Sequence, residues 1–305
     1  MHDLIILGAG PAGMTAGVYA VRKQLDVLVL TGDIGGQTTW SSEIENYLGF
    51  IYITGTELVR KFEEHIRYFN LHVEYSLCTK LSRIDGGFKI QTDSLHDFYA
   101  RTVVIATGKS PRMLNIPGEK QFRGRGVAYC STCDAPLFAG MKVAVIGGGN
   151  SGADAVMQLM KITPQVYWIE ATGQIRADEI YQEKISKAHN VEILTDTDPT
   201  EIQGDVMVTG ISVKSAKNSE KRELDVRGVF VEIGLVPNTD FLDVVVDLNK
   251  NGEVYVNCAA ETGVPGLFAA GDVTNVPEKQ IIIAAGDGAK AALGAYSYLA
   301  RLPCT

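Results

Sequence analysis

The sequence predicts an α/β protein of two similar units, the second inserted into the first. A strand, a glycine-rich loop, a helix and a second strand follow one another over residues 4–30. The same order returns over residues 141–169, with the two loops 139 residues apart. This repeat predicts two Rossmann-like nucleotide-binding domains. We assign residues 1–114 and 241–305 to the first, discontinuous domain and residues 115–240 to the second, with linkers near Met113–Pro117 and Asn238–Leu242.

The first glycine-rich loop follows the apolar strand Leu4–Leu7 and opens a helical segment. Its glycines let the backbone approach a pyrophosphate, and the helix N-terminus supplies N–H donors. The next strand, Asp26–Leu30, is followed by Thr31, where an acid would ordinarily hold a ribose. The ribose therefore needs another partner, or it uses the Thr31 hydroxyl. The predicted contacts are Gly8, Gly10, Pro11, Ala12, Gly13 and Thr31.

The second glycine-rich loop follows the apolar strand Met141–Ile146. Here the next strand, Gln165–Ile169, ends in Glu170, 18 residues after the last glycine, close to the spacing of a ribose-binding carboxylate. A carboxylate would repel a 2′-phosphate, so we expect NADH rather than NADPH. The alternative is that Glu170 is a solvated strand end. The predicted contacts are Gly147, Gly149, Asn150, Ser151, Gly152 and Glu170.

A Cys-x-x-Cys followed by an acid lies between the two loops, at Cys130, Cys133 and Asp134. Two cysteines so spaced can close a small disulfide, and the acid could move the accompanying proton. A zinc site would need two more ligands, but the other cysteines are scattered singly and the histidines form no pair at metal spacing. Two unrelated core thiols remain an alternative. We expect no metal, and we interpret the remaining cysteines as structural or incidental: Cys78, Cys258 and Cys304.

Composition excludes several classes of protein. The chain has 305 residues, 46% apolar and 21% charged, which is globular and long enough for two domains. A net charge of −8 disfavours nucleic acid as a partner. No apolar run is long enough to span a membrane, and the N-terminus lacks a basic region typical of a signal peptide. We expect a cytoplasmic protein, where a Cys-x-x-Cys is more often catalytic than structural.

Two further segments of the first domain carry residues suited to a flat ligand. Gly35 and Gly36 permit close backbone approach, and the side-chain amides of Gln37 and Asn46 can bond to polar ring atoms. On their own these are ordinary turn residues.

Strand ends and the last helix supply other candidates. The strand Thr102–Ala106 ends in Thr107-Gly108, and a short later strand ends in Gly271-Asp272, whose carboxylate can hold polyol hydroxyls. Lys279-Gln280-Ile281 opens a helix over about Ile281–Leu299, and its N–H groups could stabilise negative charge on a reduced ring.

In this order the motifs resemble the low-molecular-weight thioredoxin reductases, and still more the C-terminal flavoprotein portion of alkyl hydroperoxide reductase. The resemblance covers essentially the whole chain. It rests on the two loops, on the Cys-x-x-Cys-Asp, on Ala106-Thr107-Gly108, and on the T-x(6)-A-x-G-D run from Thr262 to Asp272. It implies the two-dinucleotide-binding flavoprotein fold, with FAD on the first loop and a pyridine nucleotide on the second, and it implies a homodimer.

The resemblance also implies roles for single residues. Asp272 would hold the ribityl chain of FAD, and Gln280 and Ile281 would lie near its ring. Cys133 would face the flavin, Cys130 would attack the target disulfide, and Asp134 would donate the proton.

The chain departs from the family pattern in three respects. Ala135 replaces a usual glycine, and Glu170-Ala171-Thr172 replaces the basic cluster of the thioredoxin reductases, which favours NADH. The N-terminal thioredoxin-like domain is not expected, because the first loop begins at Gly8. Electrons would then pass to a separate thioredoxin-like, glutaredoxin-like or peroxiredoxin-system protein.

Three alternative functions stay open. The altered segment 170–172 permits a reductase fed by ferredoxin rather than by a nicotinamide, although the intact second loop argues against it. The same motifs also suit an oxidase that runs electrons from dithiols to flavin. A non-catalytic flavoprotein sensor is the third alternative, and it would have no need of a Cys-x-x-Cys.

Overall fold

A computed structural model describes residues 1–41 and 44–302, so Cys304 lies outside the described residues. The chain divides into two compact units. Unit 1 comprises Met1–Thr39, Tyr47–Ser110 and Val236–Thr305, and unit 2 comprises Trp40–Asn46 and Pro111–Leu235. Each is an α/β unit. Within the part of the chain described, no helix is both long and apolar enough to cross a membrane.

The secondary structure follows the predicted order. The helices are α1 (Pro11–Arg22), α2 (Gly55–Tyr68), α3 (Ser131–Asp134), α4 (Asn150–Leu159), α5 (Glu179–Ser186) and α6 (Ile281–Leu299). The strands are β1 (His2–Ala9), β2 (Val27–Ile34), β3 (His72–Tyr75), β4 (Cys78–Ile84), β5 (Gly87–Thr92), β6 (Asp97–Ile105), β7 (Lys109–Pro111), β8 (Val127–Ala128), β9 (Val143–Ile146), β10 (Val166–Ile169), β11 (Val191–Leu194), β12 (Thr197–Gly204), β13 (Val208–Ser215), β14 (Lys221–Leu224), β15 (Gly228–Val231), β16 (Leu235–Pro237) and β17 (Leu267–Ala269).

Unit 1 is built on a sheet in the order β3-β2-β1-β6-β5-β4, with β17 also paired to β6. Strand β1 is parallel to β2 and β6, and its residues Leu4–Leu7 are all buried. Leu4 and Ile6 enter the core that contains α1 and α6, whereas Ile5 and Leu7 enter the core on the other face. A strand buried on both faces must be apolar throughout, which explains the uninterrupted run.

Unit 2 repeats this plan on a smaller scale. Its parallel sheet has the order β11-β10-β9-β15-β8. Val143 and Val145 of β9 pack with α4, and Ala144 and Ile146 pack toward the antiparallel sheet β12-β13-β14. The direction of the sheet order reverses between β9 and β15, and such a switch point is where open parallel sheets bind ligands.

The chain crosses between the units along two paired strands. Strands β7 and β16 form a two-stranded sheet, and the division falls at Ser110/Pro111 and Leu235/Val236. Both positions precede the predicted linkers by a few residues. The predicted linkers were marked by proline and glycine, but residues 114 and 115 are already fixed within unit 2, since their N–H groups donate to the buried carboxylate of Glu119 at 2.8 and 2.7 Å.

Two glycines of α6 provide a test of how closely α6 packs on α1. A Cβ on Gly288 would lie 2.0 Å from the Ala12 carbonyl oxygen, whereas a Cβ on Gly286 would meet nothing within 4 Å. We expect Gly288→Ala to lower the free energy of unfolding by about 1–3 kcal/mol through overpacking. The matched Gly286→Ala should raise it by about 0.5–1 kcal/mol through helix propensity. Denaturant unfolding at equal flavin occupancy measures both, and equal effects of the two variants would contradict the packing.

Candidate functional site

The three glycines of the first loop have distinct geometries. Gly8 has φ +104°, and a Cβ there would lie 2.5 Å from the Ala106 carbonyl oxygen. A Cβ on Gly13 would lie 1.8 Å from the Gly8 oxygen, but one on Gly10 would meet no atom within 4 Å. The outer glycines are therefore required by packing, and the middle one leaves open backbone in front of α1. Pro11 and Ala12 begin this helix, and its N-cap Gly10 provides no side-chain hydrogen bond, so its first N–H groups suit a pyrophosphate.

The second loop has the same three geometries. Gly147 has φ +122°, and its Cβ would lie 2.3 Å from the Glu232 carbonyl oxygen. A Cβ on Gly152 would lie 1.9 Å from the Gly147 oxygen, whereas one on Gly149 would meet nothing within 4 Å. Helix α4 begins at Asn150, again without a side-chain cap. Both loops thus fit a dinucleotide on the same structural ground.

The structure brings Asp272 to the first loop. A Cβ on Gly271 would lie 3.0 Å from the Cβ of Ala12, so the strand-end acid is next to the start of α1. Burial raises the pKa of Asp272, and the charge of Asp287 raises it further, against the opposing charges of Lys279 and Lys109. The two lysines share the carboxylate of Glu253: Lys109 is bonded to it, and Lys279 Nζ lies 3.2 Å from Oε1. A carboxylate held in this way can accept hydrogen bonds from a polyol.

Several predicted side chains are already used within the protein. The buried Thr31 hydroxyl accepts from the Ala9 N–H at 3.2 Å and donates to the Asp33 carbonyl, which favours the alternative in which a ribose has another partner. The Gln37 amide donates to the Lys109 carbonyl at 2.7 Å. The Thr107 hydroxyl donates to the Asn238 carbonyl at 2.7 Å.

The remaining first-loop candidates contribute backbone rather than side-chain groups. Gly35, Gly36 and Gly108 have positive φ. Gln280 is the extended residue before α6, and Ile281 is its first residue. Asn46 belongs to the segment 40–46, which is counted with unit 2.

The Cys130–Cys133 disulfide is closed, with the two Cα atoms 5.4 Å apart. Helix α3 follows Cys130 directly, and the N–H groups of Cys133 and Asp134 both donate to the Cys130 carbonyl, at 3.2 and 3.0 Å. Asp134 is buried. By contrast, burial raises the pKa of the Cys78 thiol to about 12, which leaves it unreactive. Cys258 is free and exposed.

Glu170 is a buried carboxylate, and the alternative of a solvated strand end is wrong. Its Oε2 accepts from the Gly148 N–H at 2.6 Å, and its Oε1 accepts from the Thr172 N–H and hydroxyl at 2.9 and 2.7 Å. Burial raises its pKa, but these hydrogen bonds and the charge of Arg176 outweigh burial, and the pKa is lowered. The carboxylate is thus ionised and fixed against the loop.

Sequence reasoning missed two residues near the second loop. Arg176 Nη2 lies 3.5 Å from Glu170 Oε2, because the Arg176 N–H donates to the Gly148 carbonyl at 2.7 Å and brings the chain back to the loop. Glu232 follows β15, and its carboxylate accepts from the Ser131 N–H at 3.3 Å and from the Ser151 hydroxyl. Partial burial raises the pKa of Glu232 to about 7. An acid directly after an apolar strand was the available signal, as it was for Glu170.

Two dinucleotide-type loops, one of them in a unit that also carries a Cys-x-x-Cys disulfide, define the class of two-domain disulfide oxidoreductases. The chain belongs to the pyridine nucleotide-disulphide oxidoreductase family, whose sequence model matches residues 2–288. It is therefore an oxidoreductase.

Relatives and solved structures agree. The chain is 42% identical over 308 residues to an alkyl hydroperoxide reductase of Pseudomonas putida, an alignment that covers 98% of this chain and 58% of that protein. It is 40% identical over 299 residues to an NADH dehydrogenase of Ferdinandcohnia aciditolerans, again with 98% and 58% covered. The crystal structure of thioredoxin reductase from Streptococcus pyogenes matches with a TM-score of 0.93, 34% identity and 99% of both chains covered.

These findings confirm the resemblance and the two-domain fold predicted from the sequence. The chain spans about three fifths of the length of the curated relatives it matches.

Replacement of Glu170 tests its ionised, hydrogen-bonded state. Because its folded pKa is depressed, it stabilises the fold above its unfolded pKa, and this stabilisation is lost as the pH falls through the folded value. We expect Glu170→Gln to lower the free energy of unfolding at pH 7 by about 1–3 kcal/mol. The difference from the wild type should shrink below about pH 4.5. Exposed Glu201→Gln is the control, and a pH-independent deficit in Glu170→Gln would contradict the assignment.

Proposed function

We propose that the chain is an FAD-dependent disulfide reductase of the thioredoxin reductase type. It would take electrons from NADH in preference to NADPH and pass them through the Cys130–Cys133 disulfide to a thioredoxin-like, glutaredoxin-like or peroxiredoxin-system protein. The observation that carries the proposal is the repeated loop geometry, with the middle glycine open in both loops, in one chain with the closed disulfide. Relatives named for alkyl hydroperoxide reductase support a peroxiredoxin-system partner. We further propose a cytoplasmic homodimer.

The two units would divide the cofactors between them. We assign FAD to unit 1, on the Gly8–Gly13 loop with Asp272 beside it, and the pyridine nucleotide to unit 2, on the Gly147–Gly152 loop. When bound, FAD supplies a carrier that accepts a hydride and delivers its electron pair to a disulfide. Gln280 and Ile281, at the start of α6, would present N–H groups to it.

The residues of α3 would carry out the sulfur chemistry. Two electrons break the S–S bond, and two protons complete two thiols. Asp134, one residue after Cys133, is the group placed to move one of these protons. The Cys130 thiolate would then attack the partner's disulfide and form a mixed disulfide, which the Cys133 thiol resolves as the partner leaves reduced.

Glu170 supports the preference for NADH. The ionised carboxylate is fixed to the loop by the Gly148 N–H, so its negative charge would oppose a 2′-phosphate. Arg176 is the only nearby cation among the described contacts of this carboxylate, and it is paired with it. The name of the Ferdinandcohnia relative also supports NADH.

Anaerobic titration of the flavin-loaded protein tests the electron donor. We expect NADH to bleach the flavin absorbance with at least about tenfold greater kcat/KM than NADPH, which corresponds to about 1.4 kcal/mol of discrimination. Glu170→Ala should narrow the ratio, whereas exposed Glu201→Ala should leave it unchanged. A reversed ratio would remove the NADH assignment. Bleaching by neither nucleotide, but by reduced ferredoxin, would establish the ferredoxin-fed alternative.

Cysteine variants test the sulfur relay. We expect Cys130→Ser and Cys133→Ser each to lower turnover of a protein disulfide by at least about 10³-fold, because no dithiol can form. Flavin reduction by the nicotinamide should remain. Cys258→Ser, at an exposed free thiol, should turn over like the wild type. Turnover of a thioredoxin or peroxiredoxin-system substrate by the double variant Cys130→Ser/Cys133→Ser would remove the disulfide from the mechanism.

A further inference from the structure

Glu232 lies at the switch point of the unit 2 sheet. Its N–H donates to the Ile146 carbonyl at 2.8 Å, where β9 ends, and its own carbonyl is the atom that excludes a Cβ on Gly147. The strand order reverses between β9 and β15, so Glu232 stands where the sheet opens toward a bound dinucleotide.

The Glu232 carboxylate joins two functional elements. It accepts from the N–H and the hydroxyl of Ser131, which stands between the two cysteines of the disulfide. It also accepts from the hydroxyl of Ser151, in the first turn of α4 directly after the open part of the loop. One side chain therefore contacts both the disulfide helix and the nucleotide loop.

The charge around Glu232 is negative. The elements packed beside it carry Asp134 on α3 and Asp154 on α4, while β8, β9 and β15 contain no charged residue. Partial burial raises the pKa of Glu232 to about 7, and the charge of Asp154 raises it further. Near neutral pH the carboxyl is thus present in both protonation states, and an ionised form would oppose the diphosphate of a dinucleotide.

We propose that Glu232 is a positioning residue that takes up a proton when a dinucleotide diphosphate binds to the second loop, and that it thereby couples this loop to the disulfide helix. The inference rests on the proposed role of the loop. The carboxylate and a proton from solvent form the neutral acid, and no electrons are transferred. The acid still accepts from Ser131 through its carbonyl oxygen. Its own O–H can donate to the Ser151 oxygen, which releases the Ser151 hydrogen for another acceptor.

The sign of the pH dependence follows from linkage. A bound anion raises the pKa of Glu232 above its value of about 7 in the free protein. Binding then takes up protons between the free and the bound pKa values. Across this interval affinity falls as pH rises, at most tenfold per pH unit, and it is constant below about pH 6.

The experiment measures the binding of ADP-ribose, a dinucleotide without nicotinamide, to the oxidised FAD-loaded protein between pH 6 and 9 by calorimetry. We expect the wild-type dissociation constant to increase above about pH 7. Glu232→Gln should hold the acid-side affinity across the range, because the amide keeps the hydrogen bonds and carries no charge. The same pH slope in Glu232→Gln as in the wild type would overturn the proposal. If the wild type bound no ADP-ribose at any pH, the proposed nucleotide loop would fail, and this inference would fail with it.

Two neighbouring variants should shift the onset of the pH dependence in opposite directions. Asp154→Asn removes a repulsive charge, lowers the pKa of Glu232 and should move the onset to lower pH. Ser131→Ala removes a hydrogen bond to the ionised carboxylate and should move it to higher pH. In the double variant Ser131→Ala/Glu232→Gln, the Ser131 effect on nucleotide binding should vanish. A Ser131 effect of full size in that double variant would show that the disulfide helix is not coupled through Glu232.

Discussion

A backbone contact too close for any side chain holds each of the two loops in place. Gly8 is pressed against the carbonyl of Ala106, and Gly147 against the carbonyl of Glu232. In both units the contact ties the start of the loop to the end of the strand on the far side of the switch. The helix that follows is thereby aimed at the space above the sheet, and the middle glycine is left exposed to a ligand. The placement of Asp272, of Ser151 and of the disulfide helix relative to its own loop all depend on this geometry.

Three acids at strand ends show how position and environment act separately. Glu170, Glu232 and Asp272 each follow an apolar strand of a parallel sheet. Glu170 has backbone and hydroxyl donors on both oxygens and an arginine nearby, and its pKa is lowered. Glu232 and Asp272 are held by fewer or weaker compensating groups, and burial raises their pKa values. The same location in the fold therefore produces one permanently ionised carboxylate and two that resist ionisation.

Local sequence patterns were sufficient for the elements and for the loops. Helix α6 spans Ile281–Leu299 as the sequence predicts, because its small residues and the break before it are both local signals. The three-glycine pattern likewise carries its own packing requirement. Contacts between distant segments were not accessible in this way. The Ser131 and Ser151 bonds to Glu232 join residues 101 and 81 positions apart, and the turn that brings Arg176 to Glu170 depends on a backbone bond to Gly148. Thr31 was identified by position, but the backbone groups that occupy its hydroxyl were not predictable.

The side-by-side course of β7 and β16 bears on how such a protein can be assembled. Apart from the short segment 40–46, the chain enters unit 2 on one of these strands and leaves it on the other. Paired strands lie about 5 Å apart, a gap that a tight turn can close. Unit 2 is thus a cassette whose excision would leave two neighbouring chain ends, and recombination could replace it by another domain without cutting the sheet of unit 1.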